Sequence, residues 1–453
     1  MNEFQSNMPK ASSEFKLLNA SIKGLFNQYD YEIDFSQNNI SILIGPNGTG
    51  KTTILELLSF VFAPTTKSLE IMLNTPFKSL SFSMNNGCSI SIEKICDDSF
   101  KWFEENIIFS FFKSNKKISS FSFEHIADEI RNIQTHGFGF RGGMKDELLS
   151  SRYGMNENFL EKLETHIRIH TNDLLPDEDS FQFIRASRLD KVLIEKNQRT
   201  HPHRENRDEV EPLTLVNKAI KELYIDFSKE YTTRLTSAAA ILPKVYLEEN
   251  VEDMSYSEFT ARHIAYKEKI KKYTKVGLIN FESSSNLYSE LSQPFNLNVD
   301  ESLYNRKKDF LISYLKVFEV TLGVFEIIYD QINLFINIFN KRNALTKKEI
   351  KCSTQGIEII SKGHNDPVPL DRLSSGEKHD LLMFYELIFG SGEIIFIDEP
   401  EISLHIEWQT DFIEQLIKIC GMNNCQVVLT THSPYIVNGH DELIAPKQVI
   451  ENE

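Results

Sequence analysis

One stretch of nine residues restricts the fold of this chain more than any other. Gly45-Pro46-Asn47-Gly48-Thr49-Gly50-Lys51-Thr52-Thr53 fits G-x-x-x-x-G-K-[ST], with Gly45, Gly50, Lys51 and Thr52 at the defining positions. The β-branched run Ile40 to Ile44 precedes it and the apolar run Ile54 to Phe62 follows. The sequence therefore predicts strand, loop and helix in the order that such a loop requires. Its glycines let backbone N–H groups turn toward phosphate, at a helix N-terminus that already favours anions. Asn47, Gly48 and Thr53 fall in the same cradle. Lys51 is expected to reach the β- and γ-phosphates of a nucleotide, and Thr52 to offer its hydroxyl to Mg²⁺.

A strand that feeds a phosphate-binding helix needs further strands beside it, and the chain has room for them. Its 453 residues are enough for two or three domains. A net charge of −16 argues against a nucleic-acid binder that uses its whole surface, while leaving room for a local basic groove. The five cysteines form no C-x-x-C pair and no zinc spacing, so they are expected to be reduced, buried thiols. The most apolar helical run, Phe310 to Phe339, is interrupted by Lys316, Glu319, Glu326 and Asp330, which makes it unsuited to span a membrane. With no apolar segment of signal-peptide type at the start, a cytoplasmic location is expected.

Strand patterns run from Phe15 to the phosphate loop and resume after its helix, where Asn85-Asn86-Gly87 between alternating segments predicts a hairpin. From about residue 96 to 345 helical patterns dominate, at Phe123 to Ile133, Asn156 to Ile169, Leu215 to Leu235, Ser255 to Tyr273 and Leu303 to Asn343. Within this stretch Arg185 to Arg207 is strongly basic. It reads first as a solvated loop and second as a contact to phosphate, of nucleic acid or of nucleotide. Strands return near Lys348, with a hairpin around Gln355-Gly356, and a helix is expected from about Glu377. Ser374 and Gly376 ahead of it suit either a simple N-cap or a second phosphate-binding helix terminus. The apolar strand Glu393 to Asp398 ends in two acids. Asp398 is placed to hold Mg²⁺ through water, and Glu399 to act as general base. Gln426 to Thr431 is a further strand, and His432 at its end faces the ligand crevice of an α/β sheet.

The order of these segments resembles the ABC-type ATPases, and within them the SMC, RecF and OLD group. LSSGE (Leu373 to Glu377) looks like the signature motif, with Ser374 and Gly376 at its phosphate-contacting positions. IIFIDE (Ile394 to Glu399) looks like Walker B with Glu399 as the catalytic acid, and His432 looks like the switch histidine. His405 stands where transporter-like members end the D-loop in Asp. Gln182 is the candidate for the Q-loop. The resemblance covers about residues 15–95 and 346–440. It implies an α/β head assembled from both ends of the chain: an N-terminal half over 1–95, a helical insertion over 96–345 and a C-terminal half over 346–453. It also implies ATP and Mg²⁺ as ligands and a homodimer or higher homo-oligomer joined by ATP.

OLD nucleases carry a Toprim domain after the switch histidine, and the residues after His432 are too few for one. Gly363 to Pro367 (GHNDP) lacks the surroundings of an HNH motif. Any nucleic-acid cleavage is therefore expected from a separate subunit, as in the Septu anti-phage system, whose ATPase subunit this chain resembles and which works with an HNH nuclease. The alternatives are a RecF- or SMC-like ATPase acting directly on DNA, and a self-contained OLD-like nuclease, which the missing Toprim domain disfavours.

Overall fold

Regular alternation of buried and exposed residues marks β1 (Leu17–Leu25) and β2 (Tyr29–Asp34) as strands with one face on a core. β3 (Ile40–Ile44) is instead buried on both faces, as a central parallel strand must be. It leads into α1 (Lys51–Phe62) and α2 (Thr66–Asn74). β4 (Ser79–Met84) and β5 (Cys88–Ile95) form the expected hairpin around Gly87. Then come β6 (Asn106–Lys113), β7 (Lys116–Ser122), α3 (Glu157–Thr171) and β8 (Phe181–Arg185). The middle of the chain supplies α4 (Pro212–Glu248), α5 (Tyr256–Lys275), α6 (Glu301–Leu322) and α7 (Glu326–Arg342). β9 (Lys348–Ser353), β10 (Gly356–Ser361), β11 (Pro367–Val368) and α8 (Ser375–Phe389) follow. β12 (Ile394–Asp398), α9 (Phe412–Asn423), β13 (Gln426–Thr431) and β14 (Lys447–Glu451) close the chain. This computed structural model describes residues 15–95, 106–123, 125–126, 157–172, 174–185, 211–248, 253–279, 299–363, 366–402, 404–445 and 447–451.

The chain divides into two compact units, one of residues 1–189 with 390–453 and one of residues 190–389. The first unit holds two sheets. One is antiparallel, in the order β14-β2-β1-β4-β5-β6-β7, and the other is parallel, in the order β3-β13-β12-β8. Both therefore join segments from the two ends of the chain, as expected of an α/β head. α1 touches both sheets through Phe62, whose ring lies 5.7 Å from Phe82 on β4, 5.1 Å from Phe181 on β8 and 6.1 Å from Phe396 on β12. The buried side chain of Gln426 ties the sheets together as well. It bonds the main chain of Leu17 through both its oxygen (2.7 Å) and its nitrogen (2.9 Å), and also the carbonyl of Phe35 (3.2 Å). Phe62→Ala should cost about 3–5 kcal/mol, since no side chain could refill a gap bounded by two sheets. Urea denaturation of the purified chain checks it, and a loss under about 1 kcal/mol would show that the sheets pack without this ring.

The expected boundaries at residues 96 and 345 are displaced. β6 and β7 extend the antiparallel sheet, and β8 completes the parallel one, so the first unit keeps the chain up to residue 189. At the other end, α8 and the Ser374–Gly376 segment fall in the second unit. That unit is built from α4 to α8 with the small sheet β11-β10-β9. α4 runs for 37 residues through Pro243, which removes one bond of the helical ladder. The run expected from Leu303 to Asn343 is two helices, α6 and α7, separated by a tight turn over Gly323–Phe325. Buried tyrosines pin these helices to loops: Tyr224 Oη donates to the carbonyl of Val276 (2.5 Å) and Tyr304 Oη to that of Met254 (2.7 Å). A buried ion pair, Arg342 to Asp380 at 2.8 Å, joins α7 to α8.

Among the described residues no helix is long and apolar enough to cross a membrane. Cys88, Cys352, Cys420 and Cys425 are buried free thiols, as expected, and burial pushes Cys352 up to about 12. Cys96, the helix expected over most of Phe123 to Ile133, and the basic stretch from Arg188 to Arg207 lie outside the described residues.

Candidate functional site

The carboxyl ends of the four parallel strands meet at one edge of the first unit. Their register sets Asp398 of β12 beside Thr430 of β13 and Arg185 of β8, and Thr431 of β13 beside Ile44 of β3. Such an edge is where open α/β sheets bind ligands.

From Ile44 the chain turns through the glycine-rich loop. Asn47 and Gly48 form its exposed crest, and Thr53 lies half-buried in the first helical turn. Gly48 (φ 86°) and Gly50 (φ 77°) both adopt left-handed backbone, and Gly50 is the N-cap of α1. A Cβ on Gly50 would also fall 2.9 Å from the Leu25 side chain. Tyr31 Oη braces the loop by donating to the carbonyl of Thr49 at 2.5 Å. No acidic side chain occupies the first turn of α1, so the positive end of its dipole is not offset from within the helix. Lys51 folds back over the loop and donates to the carbonyls of Gly45 (2.8 Å) and Pro46 (2.9 Å). Phosphate oxygens would compete for that ammonium with the advantage of charge.

Two hydroxyls converge on Asp398. Thr52 Oγ1 donates to its Oδ1 at 2.9 Å and Thr430 Oγ1 to the same oxygen at 2.7 Å. Thr52 and Asp398 thus form the hard-oxygen pair expected for Mg²⁺. Among the described residues no group of three or more His, Cys, Asp or Glu could cage a metal by itself. That donor set fits a cation that keeps several waters and takes further oxygens from a nucleotide.

Glu399, next in the chain, has φ 48°, and its N–H donates to the carbonyl of Thr430 at 3.1 Å. A non-glycine residue in left-handed backbone is strained, and such strain gathers at functional positions. His432 is the neighbour of Glu399: its Nδ1 lies 3.9 Å from Glu399 Oε1 and 3.0 Å from Glu401 Oε1. Glu401 escaped the sequence reading. Its only signal was a third acid in Asp-Glu-Pro-Glu, and the histidine it meets is 31 residues further along.

Gln182 does not occupy the Q-loop position. It is buried opposite Ile395, three residues before the end of β8, with Gly392 packed against its side chain. Arg185 stands at the strand end instead, beside Asp398, ion-paired with Glu56 of α1 at 3.0 Å and resting on the Phe183 ring. It therefore belongs to the sheet edge and not to a solvated basic loop. His405, in place of the D-loop aspartate, lies 5.7 Å from the Trp408 ring.

Ser374 and Gly376 belong to the second unit, at the start of α8. Ser374 Oγ accepts from the N–H of Glu377 (3.3 Å), and Glu377 Oε2 accepts from the N–H (2.8 Å) and hydroxyl (2.9 Å) of Ser374. This is a capping box, so Ser374 is an N-cap. Lys348 Nζ grips both oxygens of Glu377 at 2.8 Å. Burial pushes the Glu377 carboxyl up, but the bonds from Lys348 and Ser374 outweigh it and hold it below its ordinary value. Ser374 remains exposed, and a Cβ on Gly376 would meet nothing within 4 Å. The cap thus leaves the helix terminus open to a ligand.

Several known proteins are similar to this chain. The "Retron Vc95 probable ATPase" of Vibrio cholerae serotype O1 biovar El Tor is 24% identical over 421 residues, 90% of this chain and 70% of that protein. The "Probable ABC transporter ATP-binding protein p29" of Mesomycoplasma hyorhinis is 29% identical over 115 residues. That match takes in 25% of this chain and 44% of the relative, less than half its length. Among solved structures, the Smc head domain with an extended coiled coil bound to the C-terminal domain of ScpA, from Pyrococcus furiosus, matches with a TM-score of 0.38 and 12% identity over 96% of each chain. The SMC head domain from Thermotoga maritima matches with a TM-score of 0.34 and 11% identity, over 97% of this chain and 99% of that one. The family described as the AAA ATPase domain matches residues 21–437, most of the chain, a span that includes the phosphate loop, Asp398, Glu399 and His432. The chain belongs to that AAA ATPase domain family.

Proposed function

We propose that this chain binds ATP with Mg²⁺ and hydrolyses it at a site shared between two copies, and that the nucleotide state controls a separate nuclease in anti-phage defence. The observation that carries the hydrolytic part is the convergence of Thr52 and Thr430 on Asp398, with Glu399 and His432 directly beside it. Phosphates bind main-chain N–H groups between Asn47 and Thr53 and draw Lys51 off its carbonyls. Thr52 and Asp398 hold the cation, which when bound neutralises charge on the phosphate oxygens. Glu399 takes a proton from water as the water oxygen bonds to the γ-phosphorus. The bond from that phosphorus to the β-bridging oxygen breaks, and ADP and phosphate leave. His432 faces the γ-phosphate and the attacking water. Ser374 and Gly376 of the second copy close over the phosphate from the open terminus of α8.

The likeness over 90% of the chain to a probable ATPase named for a retron supports the ATPase reading and a place in defence. The resemblance to Septu-type ATPases supports an HNH-type nuclease as that partner.

Dilution under saturating ATP tests the shared site. Turnover per chain should fall as the dimer dissociates, and Ser374→Arg should keep ATP binding while losing ATP-driven dimerisation. Constant turnover per chain at concentrations where light scattering shows monomer alone would overturn it. For the partner, the tagged chain recovered from its own cells should bring along a nuclease whose cutting differs between ATP and ADP. Cutting that ignores the nucleotide would sink that part.

A further inference from the structure

Glu401 is enclosed far more than the general base two residues before it: its side chain is 5% exposed, against 26% for Glu399. Three partners converge on one of its oxygens. Oε1 accepts from Thr431 Oγ1 at 2.7 Å and from the main-chain N–H of His432 at 2.7 Å, and it lies 3.0 Å from His432 Nδ1. The other oxygen, Oε2, is buried with no hydrogen-bond partner among the described residues. Holding Thr431 and one main-chain N–H would need only an amide or a hydroxyl. A buried carboxylate with one oxygen unmet is a costly way to do that. The third partner accounts for it. A bare nitrogen lone pair would be repelled by a carboxylate oxygen at 3.0 Å, and a proton on Nδ1 removes that repulsion.

We propose that Glu401 is a positioning residue for hydrolysis. It holds the Nδ1–H of His432, fixes the tautomer of the ring, and keeps the imidazole from closing on Glu399. The distance of 3.9 Å from Nδ1 to Glu399 Oε1 is short enough for a small ring rotation to bring the two together. Such a contact would engage the carboxylate that has to take the proton from water. With Nδ1–H held by Glu401, Nε2 on the opposite edge of a 43% exposed ring is left as an acceptor, free to take a hydrogen bond from the attacking water while Glu399 takes that water's other proton. A buried acid that orients an imidazole without itself exchanging a proton is an established division of labour in hydrolases. This inference rests on the ATPase reading above.

The test uses the full chain with Glu401→Ala, Glu401→Gln, His432→Ala and the corresponding double variants. Nitrogen-15 NMR of the imidazoles, with the His432 signals identified by their loss in His432→Ala, should show the Nδ1–H form in the wild type. Glu401→Ala should shift His432 toward the Nε2–H form that free imidazole side chains favour. An unchanged tautomer would overturn the proposal. In turnover assays Glu401→Ala should lower kcat by about tenfold or more, with ATP affinity within about twofold of wild type. It should cause no further loss once His432 is Ala, because the partner it serves is gone. Losses that multiply would show that Glu401 acts independently of His432 and would also overturn it. Glu401→Gln keeps the size and one acceptor. It should therefore retain the Nδ1–H form and most of the turnover, and if the Ala variant does not fold, Glu401→Leu, which removes both acceptors, carries the same test of additivity. A wild-type chain that fails to turn over ATP would sink the ATPase reading, and the NMR result would still decide the role of Glu401 in holding the ring.

Discussion

Glu399→Gln should leave ATP bound while cutting turnover by about a hundredfold or more, the usual consequence of removing a general base. The substitution keeps the size of the side chain. It also leaves in place the main-chain bond from residue 399 to Thr430 that holds the strained backbone at φ 48°. None of the groups assigned to the phosphates or to the cation is touched: Lys51, the loop amides, Thr52 and Asp398 all remain. An amide cannot take the proton from water. The expected product is a chain trapped with ATP, which in the shared-site reading accumulates as a dimer. Single-turnover hydrolysis beside equilibrium ATP binding separates the two effects. Wild-type turnover in the Gln variant would mean that the proton goes elsewhere and that the strain at this residue has another cause.

The second large effect is expected far along the chain from the phosphate loop. Asp380→Ala should destabilise the fold by about 3–5 kcal/mol, because it deprives a buried arginine of the carboxylate bonded to it. Side-chain exposure is 5% for Arg342 and 3% for Asp380, so water cannot replace what is lost. Burial dominates this acid even with Arg342 at 2.8 Å, and raises it to about 6. The sign of the pH dependence follows. An unfolded Asp titrates near 4, so between about pH 6 and 4 the folded chain binds more protons than the unfolded one. The contribution of Asp380 to stability therefore grows as pH falls through that window and is smallest above it. Urea midpoints measured at several pH values for wild type and Asp380→Asn should differ in slope there. Parallel curves would show that Asp380 does not titrate in that range.

Local pattern explains which parts of this molecule could be read in advance. The phosphate loop, the apolar strand ending in Asp398 and the hairpins at Gly87 and Gly356 are written in consecutive residues. The structure places each where the pattern indicated. The helices of the second unit followed from 3.6-residue periodicity in the same way. β6 and β7 were assigned to a helical region although a signal was present. Ser114 and Asn115, at φ 50° and 63°, make the two-residue left-handed turn that a tight hairpin needs, between segments alternating Phe and Ser. β8 offered less, since five residues specify a strand poorly, and its neighbour β12 begins more than two hundred residues later. The misplacement of Gln182 follows from that. Within Phe-Gln-Phe-Ile-Arg, only pairing with β12 decides which residue stands at the strand end. Glu401 shows the same limit, because its meaning comes from a histidine just past the end of β13.

The order of strands in the parallel sheet also sets a timetable for the ribosome. β3 lies at one end of the strand order in that sheet, next to β13. The phosphate loop follows β3 directly, so the strand that carries it leaves the ribosome and then waits for a partner made much later. From Ile44 to Thr431 the chain grows by 387 residues, roughly 20–80 s at ordinary rates of synthesis. Throughout that interval β3 has both edges unpaired, and such edges invite pairing with other chains. The second unit lies wholly between the two strands in sequence and can fold while β3 waits. Assembly of the nucleotide site is thereby deferred until β13 has emerged.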